Sequence, residues 1–432
     1  MPSNNQRYNE LEFSPTFGTL QGRRESMMYM DYVNLNSFLD FGYFLKYDNA
    51  QKLIDYTSAD PGSLKNLSHR ELLTMGCDLF QKAIDEQFVP GREVCVPLSG
   101  GIDSRAILGG LLKCTEAKNI HTYTFGVPGA WDYEFGMIVA ESVGTKHTQI
   151  DLNDYKYTQD ELLEISRRVD MQTMLFLHPP LYILKKYESM SIWTGAVIDA
   201  LFGSHVHNQK SETFDDAVAN FVSSNIFVKS CNLLNMARDQ YKIYVCGQGV
   251  ELEGFPKEHV IDLENRQNKY IWCHVCMKGF NYKTLLTYKD LIRFALSLDP
   301  KYLKGQSLYK EMVLNLYGDL FGLPCSRSAG LPLKASKQSV FLMRAYRHLR
   351  RKLGVNDLTR VNYMDFNQAI LKNESMQKVV VNNINDLVSR NLITWVDPQK
   401  ILDDHLNGNG QYADALLVLT SLEIHLKNGR EI

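Results

Sequence analysis

The chain is poor in cysteine, in long apolar runs and in any excess of one charge. Eight cysteines are scattered over 432 residues without a framework spacing, which excludes a disulfide-stabilised scaffold. No run approaches the ~18–20 apolar residues that span a bilayer, and the polar start MPSNNQRYNE lacks the apolar stretch of a signal peptide. These absences exclude secreted and membrane classes and predict a reduced, cytoplasmic protein.

Charge and composition are balanced. Lys plus Arg number 47 and Asp plus Glu number 49, so the net charge of −2 gives no global reason to expect nucleic acid or an anionic membrane as partner. Hydrophobic residues make up 44% of the chain, as in an ordinary globular protein. At roughly 150 residues per domain, the length allows two or three domains with a core of ample size.

Short strands and helices alternate along the middle of the chain. Apolar runs at 93–98, 120–125, 148–152 and 191–194 predict strands, and the amphipathic stretches between them predict helices. This alternation indicates an α/β fold with a parallel twisted sheet and helices on both faces. A helical C-terminal part is predicted by the 3–4 spacing of apolar residues at about 212–223, 285–298, 307–318, 335–353, 375–390 and 411–427.

The junction between the first of these strands and its helix is the most informative stretch. It is Ser99-Gly100-Gly101-Ile102-Asp103-Ser104, directly after the strand that ends at Leu98. Two glycines let the backbone turn sharply and bring N–H groups and the helix N-terminus close to phosphate oxygens. The two serine hydroxyls can donate to the same phosphates, and the aspartate can hold Mg²⁺. The sequence has no GxxxxGK[ST] motif, which excludes a Walker-type loop.

This segment resembles the SGGxDS motif of the pyrophosphatase-loop ATP enzymes. Further stretches are similar, in the same order, to the synthetase domain of asparagine synthetases: Thr124–Gly126 with Asp132–Glu134, Thr194–Gly203 (TGAVIDALFG) and Leu291–Met312. The resemblance covers about residues 67–335 and implies an adenine nucleotide hydrolase-like fold. It divides the chain into an N-terminal arm or domain remnant at 1–66, an ATP-binding synthetase domain at 67–335 and a helical extension at 336–432.

The resemblance also implies roles for individual residues. Those expected to bind ATP and pyrophosphate are Leu98, Ser99, Gly100, Gly101, Asp103, Ser104, Phe125 and Gly195. Asp199 would be a second Mg²⁺ ligand across the cleft from Asp103, and Lys310 would stabilise charge at the α-phosphate or during acyl transfer. Taken singly, Asp199 is equally well explained as a helix cap or surface acid, and Lys310 as a lysine on a solvated helix face.

The chain departs from the asparagine synthetase pattern at two places. Glutamine-hydrolysing members have a cysteine after Met1, whereas position 2 here is Pro2 and little chain precedes Ser99, so we expect no glutaminase activity of its own. Ala196 and Ala200 replace the two glutamates of the family's SGExxDE, which makes asparagine synthesis itself doubtful. Relatives that close β-lactam or lasso-peptide rings use the same adenylate chemistry with a different base and an amine acceptor.

Glu264 is the candidate for a relocated base or for a group that orients the acceptor. A salt bridge with Arg266 or another neighbour is the structural alternative. Farther along, a basic helical stretch from Lys334 to Lys352 is compatible with an acidic substrate, a carrier protein or RNA. A solvated helix face is the simpler interpretation of that stretch.

These features predict an AMP-forming carbon–nitrogen ligase. It would use ATP and Mg²⁺ to adenylate a small-molecule or peptide carboxylate and pass the acyl group to an amine or ammonia, with a separate glutaminase or biosynthetic partner as an option. Neither a membrane nor a nucleic acid is expected as partner. Two alternatives stay open: a non-catalytic ATP-binding partner subunit, and a sulfur-transfer or tRNA-modifying enzyme, for which Cys325 is the candidate cysteine.

Overall fold

A five-stranded parallel sheet forms the centre of the computed structural model, which describes residues 30–205, 211–245, 254–355 and 357–432. Its order is β3-β2-β1-β4-β5, and all four neighbouring pairs are parallel. The strands are β1 Val94–Pro97, β2 Ile120–Gly126, β3 Lys146–Asp151, β4 Ser191–Trp193 and β5 Tyr282–Lys283. The predicted α/β fold with a parallel sheet is confirmed.

Strand β1 lies in the middle of the sheet, and its sequence VCVP is apolar throughout. Val94 pairs with Ile120 of β2 on one side and with Ser191 of β4 on the other. The chain moves outward from β1 to β2 and β3, and then returns past β1 to β4. Because crossovers between parallel strands are right-handed, these opposite directions put helices on both faces of the sheet. A strand covered on both faces carries apolar residues without alternation.

Helices make up most of the remaining described chain. The α-helices are Tyr32–Phe41, His69–Asp85, Asp103–Cys114, Trp131–Val143, Gln159–Arg168, Leu181–Lys186, Ile198–Leu201, Phe214–Asn225, Lys242–Val245, Lys257–Ile261, Cys273–Val275, Lys289–Leu296, Pro300–Leu303, Ser307–Tyr317, Lys337–Lys352, Phe366–Lys372, Glu374–Arg390, Pro398–Leu406 and Ala413–Lys427. A π-helix, Asp262–Trp272, continues from the helix that ends at Ile261. The predicted helical C-terminal part is confirmed.

The main apolar core lies between the sheet and the helices beside β1. The helices His69–Asp85, Asp103–Cys114 and Ser307–Tyr317 pack on one another through fully buried side chains, among them Phe80 and Leu108. Ser68 starts the first of these helices with a reciprocal capping box to Glu71. The core therefore holds the N-terminus of the helix Asp103–Cys114 at the end of β1.

The helix Tyr32–Phe41 lies within the region predicted as an N-terminal arm or domain remnant, and almost all of its side chains are buried. Residues 1–29 of the expected N-terminal arm lie outside the described residues, and the proposed domain boundaries stay predictions. Within the part of the chain that the structure describes, no helix has both the length and the apolar character needed to cross a membrane.

Candidate active site

The point where the sheet reverses its direction brings two predicted loops together. β1 and β4 are neighbours, and the chain leaves their carboxyl ends through residues 98–102 and 194–197. At such a switch point the two loops diverge to opposite faces and leave a crevice between them. A β-carbon added to Gly195 would lie 2.7 Å from Cβ of Asp103, so the loops touch and only glycine fits there.

The loop after β1 is held by hydrogen bonds within itself. The Leu98 N–H donates to the Tyr123 carbonyl of β2 at 2.8 Å, which fixes the start of the loop. Ser99 N–H donates to Oγ of Ser104 at 3.1 Å, and Gly101 N–H donates to Oγ of Ser99 at 3.2 Å. The helix that follows begins at Asp103 without a side-chain cap. No capping side chain therefore accepts from its first N–H groups, and a helix N-terminus of this kind can stabilise an anion.

Asp103 and Asp199 form a carboxylate pair across the crevice. Asp103 is half-buried, and the desolvation of its carboxyl and the nearby Asp199 raise its pKa to about 8, while the Tyr309 hydroxyl and Arg327 act in the opposite direction. Tyr309 donates to Oδ1 of Asp103 at 2.9 Å. A bound cation would relieve the repulsion that Asp199 exerts on the charged form of Asp103, and oxygen ligands suit Mg²⁺. The pair therefore fits a magnesium ion shared with phosphate oxygens.

Among the described residues, His, Cys, Asp and Glu side chains do not gather into any group of three or more that could hold a metal by itself. Two carboxylates are nevertheless a common protein share of a Mg²⁺ site, because this ion keeps water and substrate phosphate oxygens as its other ligands. The donor set of Asp103 and Asp199 therefore suits an ion that arrives with a nucleotide.

The backbone around this pair is strained at three positions. Val197, Gln306 and Ala329 all have left-handed conformations, with φ of 69°, 59° and 59°. Such conformations are unfavourable for residues other than glycine, above all for β-branched valine, and they persist at functional sites where the surroundings enforce them. Val197 comes two residues before Asp199, and the side-chain amide of Gln306 donates to the Asp199 carbonyl at 3.3 Å.

A basic cleft of about 410 Å³ opens beside the loop after β1. Its lining residues are Trp131, Asp132, Lys310, Ser326, Arg327, Arg344 and Arg360. The Ser326 N–H donates to the Gly100 carbonyl at 2.9 Å, so the cleft is attached directly to the loop. The cleft contains four cationic side chains and one carboxylate, which suits a polyanion such as a nucleoside triphosphate.

Lys310 lies in this cleft on the helix Ser307–Tyr317, as its predicted role requires. Burial and the nearby Arg327 lower the pKa of Lys310. Its ammonium donates to the Gly305 carbonyl at 2.7 Å and keeps two further donors. Arg327 donates to the side-chain carbonyl of Gln306 at 2.9 Å, and Gln306 in turn reaches Asp199. Gln306 thus links the backbone of Asp199 to Arg327 in the cleft by two hydrogen bonds.

Two predicted site residues lie farther from the carboxylate pair. Phe125 is near the carboxyl end of β2, where Asn362 donates to its carbonyl at 2.9 Å. Glu264 lies on the π-helix, which packs against the helix Ile198–Leu201 that carries Asp199. Burial raises the pKa of Glu264, and the neighbouring Tyr56 and Lys269 oppose that shift. The basic residue that lowers the pKa of Glu264 most is thus Lys269, whereas Arg266, the neighbour considered from the sequence, is not among the causes.

Sequence reasoning missed several residues of this site. Tyr309 directly precedes Lys310, and Asp132 lies in the segment Asp132–Glu134, but no local sequence signal marks either residue as part of the site. Arg327 and Arg360 stood in no motif, and only the folded chain brings them to the loop. Cys325, the candidate for sulfur transfer, is fully buried.

Comparison with known proteins agrees with this geometry. Residues 77–241 match the family model described as asparagine synthase. An asparagine synthetase (glutamine-hydrolysing) from Gallus gallus is 26% identical over 150 residues, which is 32% of this chain and 27% of that protein. Asparagine synthetase (glutamine-hydrolysing) 3 from Arabidopsis thaliana is 24% identical over 145 residues, covering 31% and 25%. The aligned part spans about a quarter of the length of these curated relatives.

The matched residues include the loop after β1 and Asp199 but end before Glu264 and Lys310. The loop after β1 and Asp199 thus lie within the matched segment and also meet in the folded chain, whereas Lys310 lies outside that segment and is supported only by its position in the cleft.

Proposed function

From an asparagine synthase match over residues 77–241, we propose that this chain is an ATP-dependent ligase that joins a carboxylate to an amine or to ammonia. The carboxylate oxygen attacks the α-phosphorus of ATP and pyrophosphate leaves, which gives an acyl adenylate. The nitrogen then attacks the acyl carbon, loses a proton and displaces AMP. ATP is a substrate in this scheme and is consumed once per amide bond formed.

One observation carries the proposal: the loop after β1, the carboxylate pair and the basic cleft meet at the switch point of the sheet. The uncapped helix start at Asp103 and the loop N–H groups suit the phosphates that become pyrophosphate. Asp103 and Asp199 would hold Mg²⁺. When bound, the ion would neutralise charge on the phosphate chain and on the departing pyrophosphate.

The residues of the cleft supply positioning and charge stabilisation. Lys310 and Arg327 line the same cavity, so their charges act on a phosphoryl group placed between the loop and the helix Ser307–Tyr317. The wall formed by Trp131 is apolar and carries the Arg360 guanidinium 4.9 Å from its ring centre. Holding both reactants in such a cleft replaces an encounter in solution by reaction within one complex.

Carboxylate-dependent exchange of labelled pyrophosphate into ATP tests adenylation without knowledge of the amine. Purified protein is incubated with MgATP, labelled pyrophosphate and fractions of a small-molecule extract, and active fractions are then supplied with ammonium, glutamine or primary amines. Asp103→Asn is expected to abolish exchange, and the exposed Asp78→Asn is the matched control.

The products of this incubation distinguish an AMP-forming ligase from a non-catalytic ATP-binding subunit. AMP and pyrophosphate that require Asp103 support the proposal, and ADP would overturn it. Binding of MgATP without exchange in any fraction would instead support a non-catalytic ATP-binding subunit. Activity with glutamine alone as nitrogen source would contradict the expected use of free ammonia or an amine.

A further inference from the structure

The helix Lys337–Lys352 has two faces with different surroundings. On its inner face, Val340 and Met343 pack against the apolar cluster of Trp131 and Phe135. Arg347 of the same face donates to the Ala329 carbonyl at 3.1 Å, and its guanidinium lies 5.6 Å from the centre of the Trp131 ring. The helix is therefore anchored to the wall of the basic cleft by one face alone.

Its outer face carries a regular apolar seam. Leu342, Tyr346, Leu349 and Leu353 follow one another at intervals of four, three and four residues, on the side opposite to Val340 and Met343. Their exposed fractions are 66%, 53%, 56% and 70%. Among the described residues, the contacts that hold the helix on the protein come from its inner face, and an exposed apolar seam of this kind marks an interaction site.

The spacing indicates what kind of molecule that is. Alternating steps of four and three residues are the d-a-d-a pattern of a coiled-coil seam, which accepts the knobs of one partner helix. The four seam residues form a stripe narrower than the broad apolar face that a helix lying in a membrane surface presents, and Phe341, which is 70% exposed, lies on the flank next to this stripe. The observations therefore favour a helix of a protein over a lipid surface.

Charge indicates the character of the partner helix. The helix Lys337–Lys352 contains six Lys and Arg residues and no Asp or Glu. In the heptad defined by the seam, Arg350 occupies an e position and Lys352 a g position, where charges select the partner. The same surface of a second copy would oppose cations to cations, which disfavours self-pairing.

We propose that the seam Leu342–Leu353 is a docking site for an acidic amphipathic helix of a different protein. The partner helix lays its apolar a and d residues along Leu342, Tyr346, Leu349 and Leu353. Its Glu or Asp residues at e and g face Arg350 and Lys352. This assignment does not depend on the proposed reaction, because it rests on the outer face of the helix alone.

Two synthetic peptides of about four heptads test the proposal. Both have Leu at a and d; one has Glu at every e and g position, and the other has Lys there, so neither pairs with itself. Their affinity for the full chain is measured by fluorescence anisotropy at about 0.15 M salt. The Glu peptide is expected to bind at least about tenfold more tightly than the Lys peptide.

Variants of the chain locate the binding. Leu349→Glu should weaken binding of the Glu peptide by at least about tenfold, whereas Val89→Glu, at an equally exposed apolar residue, should leave it unchanged. A double variant with Arg350→Glu and Lys352→Glu, in which both charges are reversed, should bind the Lys peptide more tightly than the Glu peptide. Circular dichroism and thermal unfolding confirm that each variant is folded.

Four results would overturn the proposal: no binding of the Glu peptide, equal binding of both peptides, unchanged binding by the Leu349→Glu variant, or an unchanged preference after charge reversal. Binding to anionic vesicles of phosphatidylcholine and phosphatidylglycerol that Leu349→Glu abolishes, in place of peptide binding, would assign the seam to a membrane. Self-association that the same variant abolishes would assign it to a second copy of this chain.

Discussion

Tyr309 donates a hydrogen bond of 2.9 Å to Oδ1 of Asp103, from a ring that is fully buried and stacked on Phe202. The phenol approaches from the helix Ser307–Tyr317, whereas the carboxylate stands at the start of the helix Asp103–Cys114. One side chain therefore links the helix that carries Lys310 to the loop after β1. It also fixes one oxygen of the proposed magnesium ligand, leaving the other to the crevice.

We expect Tyr309→Phe to lower AMP formation by about tenfold, because loss of a hydrogen bond to a charged group is worth roughly 1.5–3 kcal/mol. The ring and its packing are retained, so the fold should persist. Tyr241→Phe is the matched control, since its buried hydroxyl donates to the Asn36 carbonyl at 3.0 Å, in a different part of the chain. Equal activity loss in both variants would mean that the effect is one of stability.

Gly195→Ala should weaken binding of a non-hydrolysable ATP analogue by at least about tenfold. The new β-carbon would lie 2.7 Å from Cβ and 3.0 Å from the carbonyl carbon of Asp103, so the two loops must move apart. Isothermal titration calorimetry measures the affinity. Gly322→Ala is the control, because a β-carbon there meets no atom within 4 Å. Unchanged affinity in Gly195→Ala would remove Gly195 from the nucleotide site.

Much of the candidate phosphate site could be predicted because its sequence signal is local. A strand, two glycines and a helix start follow one another within 98–104, and their meaning requires no distant contact. Predicting the position of Asp199 required long-range information, because Asp199 comes near Asp103 only when β4 lies beside β1. The alternation of strands and helices predicts a parallel sheet, but it does not predict the order of the strands within that sheet.

The helix Tyr32–Phe41 shows why other parts could not be predicted. Its buried side includes Asp40, 2% exposed, and this polar residue interrupts the apolar periodicity. Asp40 accepts two hydrogen bonds from the guanidinium of Arg238, at 2.7 and 2.8 Å, from almost two hundred residues away. A buried acid is tolerated when a basic side chain pairs with it in the fold, and the local sequence does not show which distant residue will do so. Arg327 and Arg360 in the basic cleft were missed for the same reason.

Lys310→Ala should lower kcat for AMP formation by about a hundredfold and change KM for ATP much less, because the ammonium acts on charge that develops during the reaction. Lys310→Arg should not restore the rate, since the planar guanidinium cannot replace a compact ammonium held against the Gly305 carbonyl. The control is Lys301→Ala, on an exposed turn of the preceding helix. A raised KM with unchanged kcat would make Lys310 a binding residue.

Acid should destabilise the fold partly through His425. Burial lowers the pKa of His425 to about 3, from 6.5 for the free side chain. The neutral ring is satisfied on both sides, since Nε2 lies 2.9 Å from the Thr173 carbonyl and Nδ1 lies 2.8 Å from the Ser166 hydroxyl. The unfolded chain takes up a proton at this residue below pH 6.5 and the folded chain does not. The contribution of the neutral ring to stability is therefore complete above pH 6.5 and is lost as the pH falls toward 3.

At pH 5.5 this single residue should cost about 1.4 kcal/mol of unfolding free energy relative to pH 7.5. Urea unfolding at both pH values measures the difference. His425→Gln keeps a donor toward Thr173 but cannot titrate, so its loss of stability between the two pH values should be smaller by about that amount. The exposed His348→Gln should behave like the unaltered chain. If His425→Gln shows the same pH dependence as the unaltered chain, His425 is protonated in the folded state, and the assignment of a neutral ring is wrong.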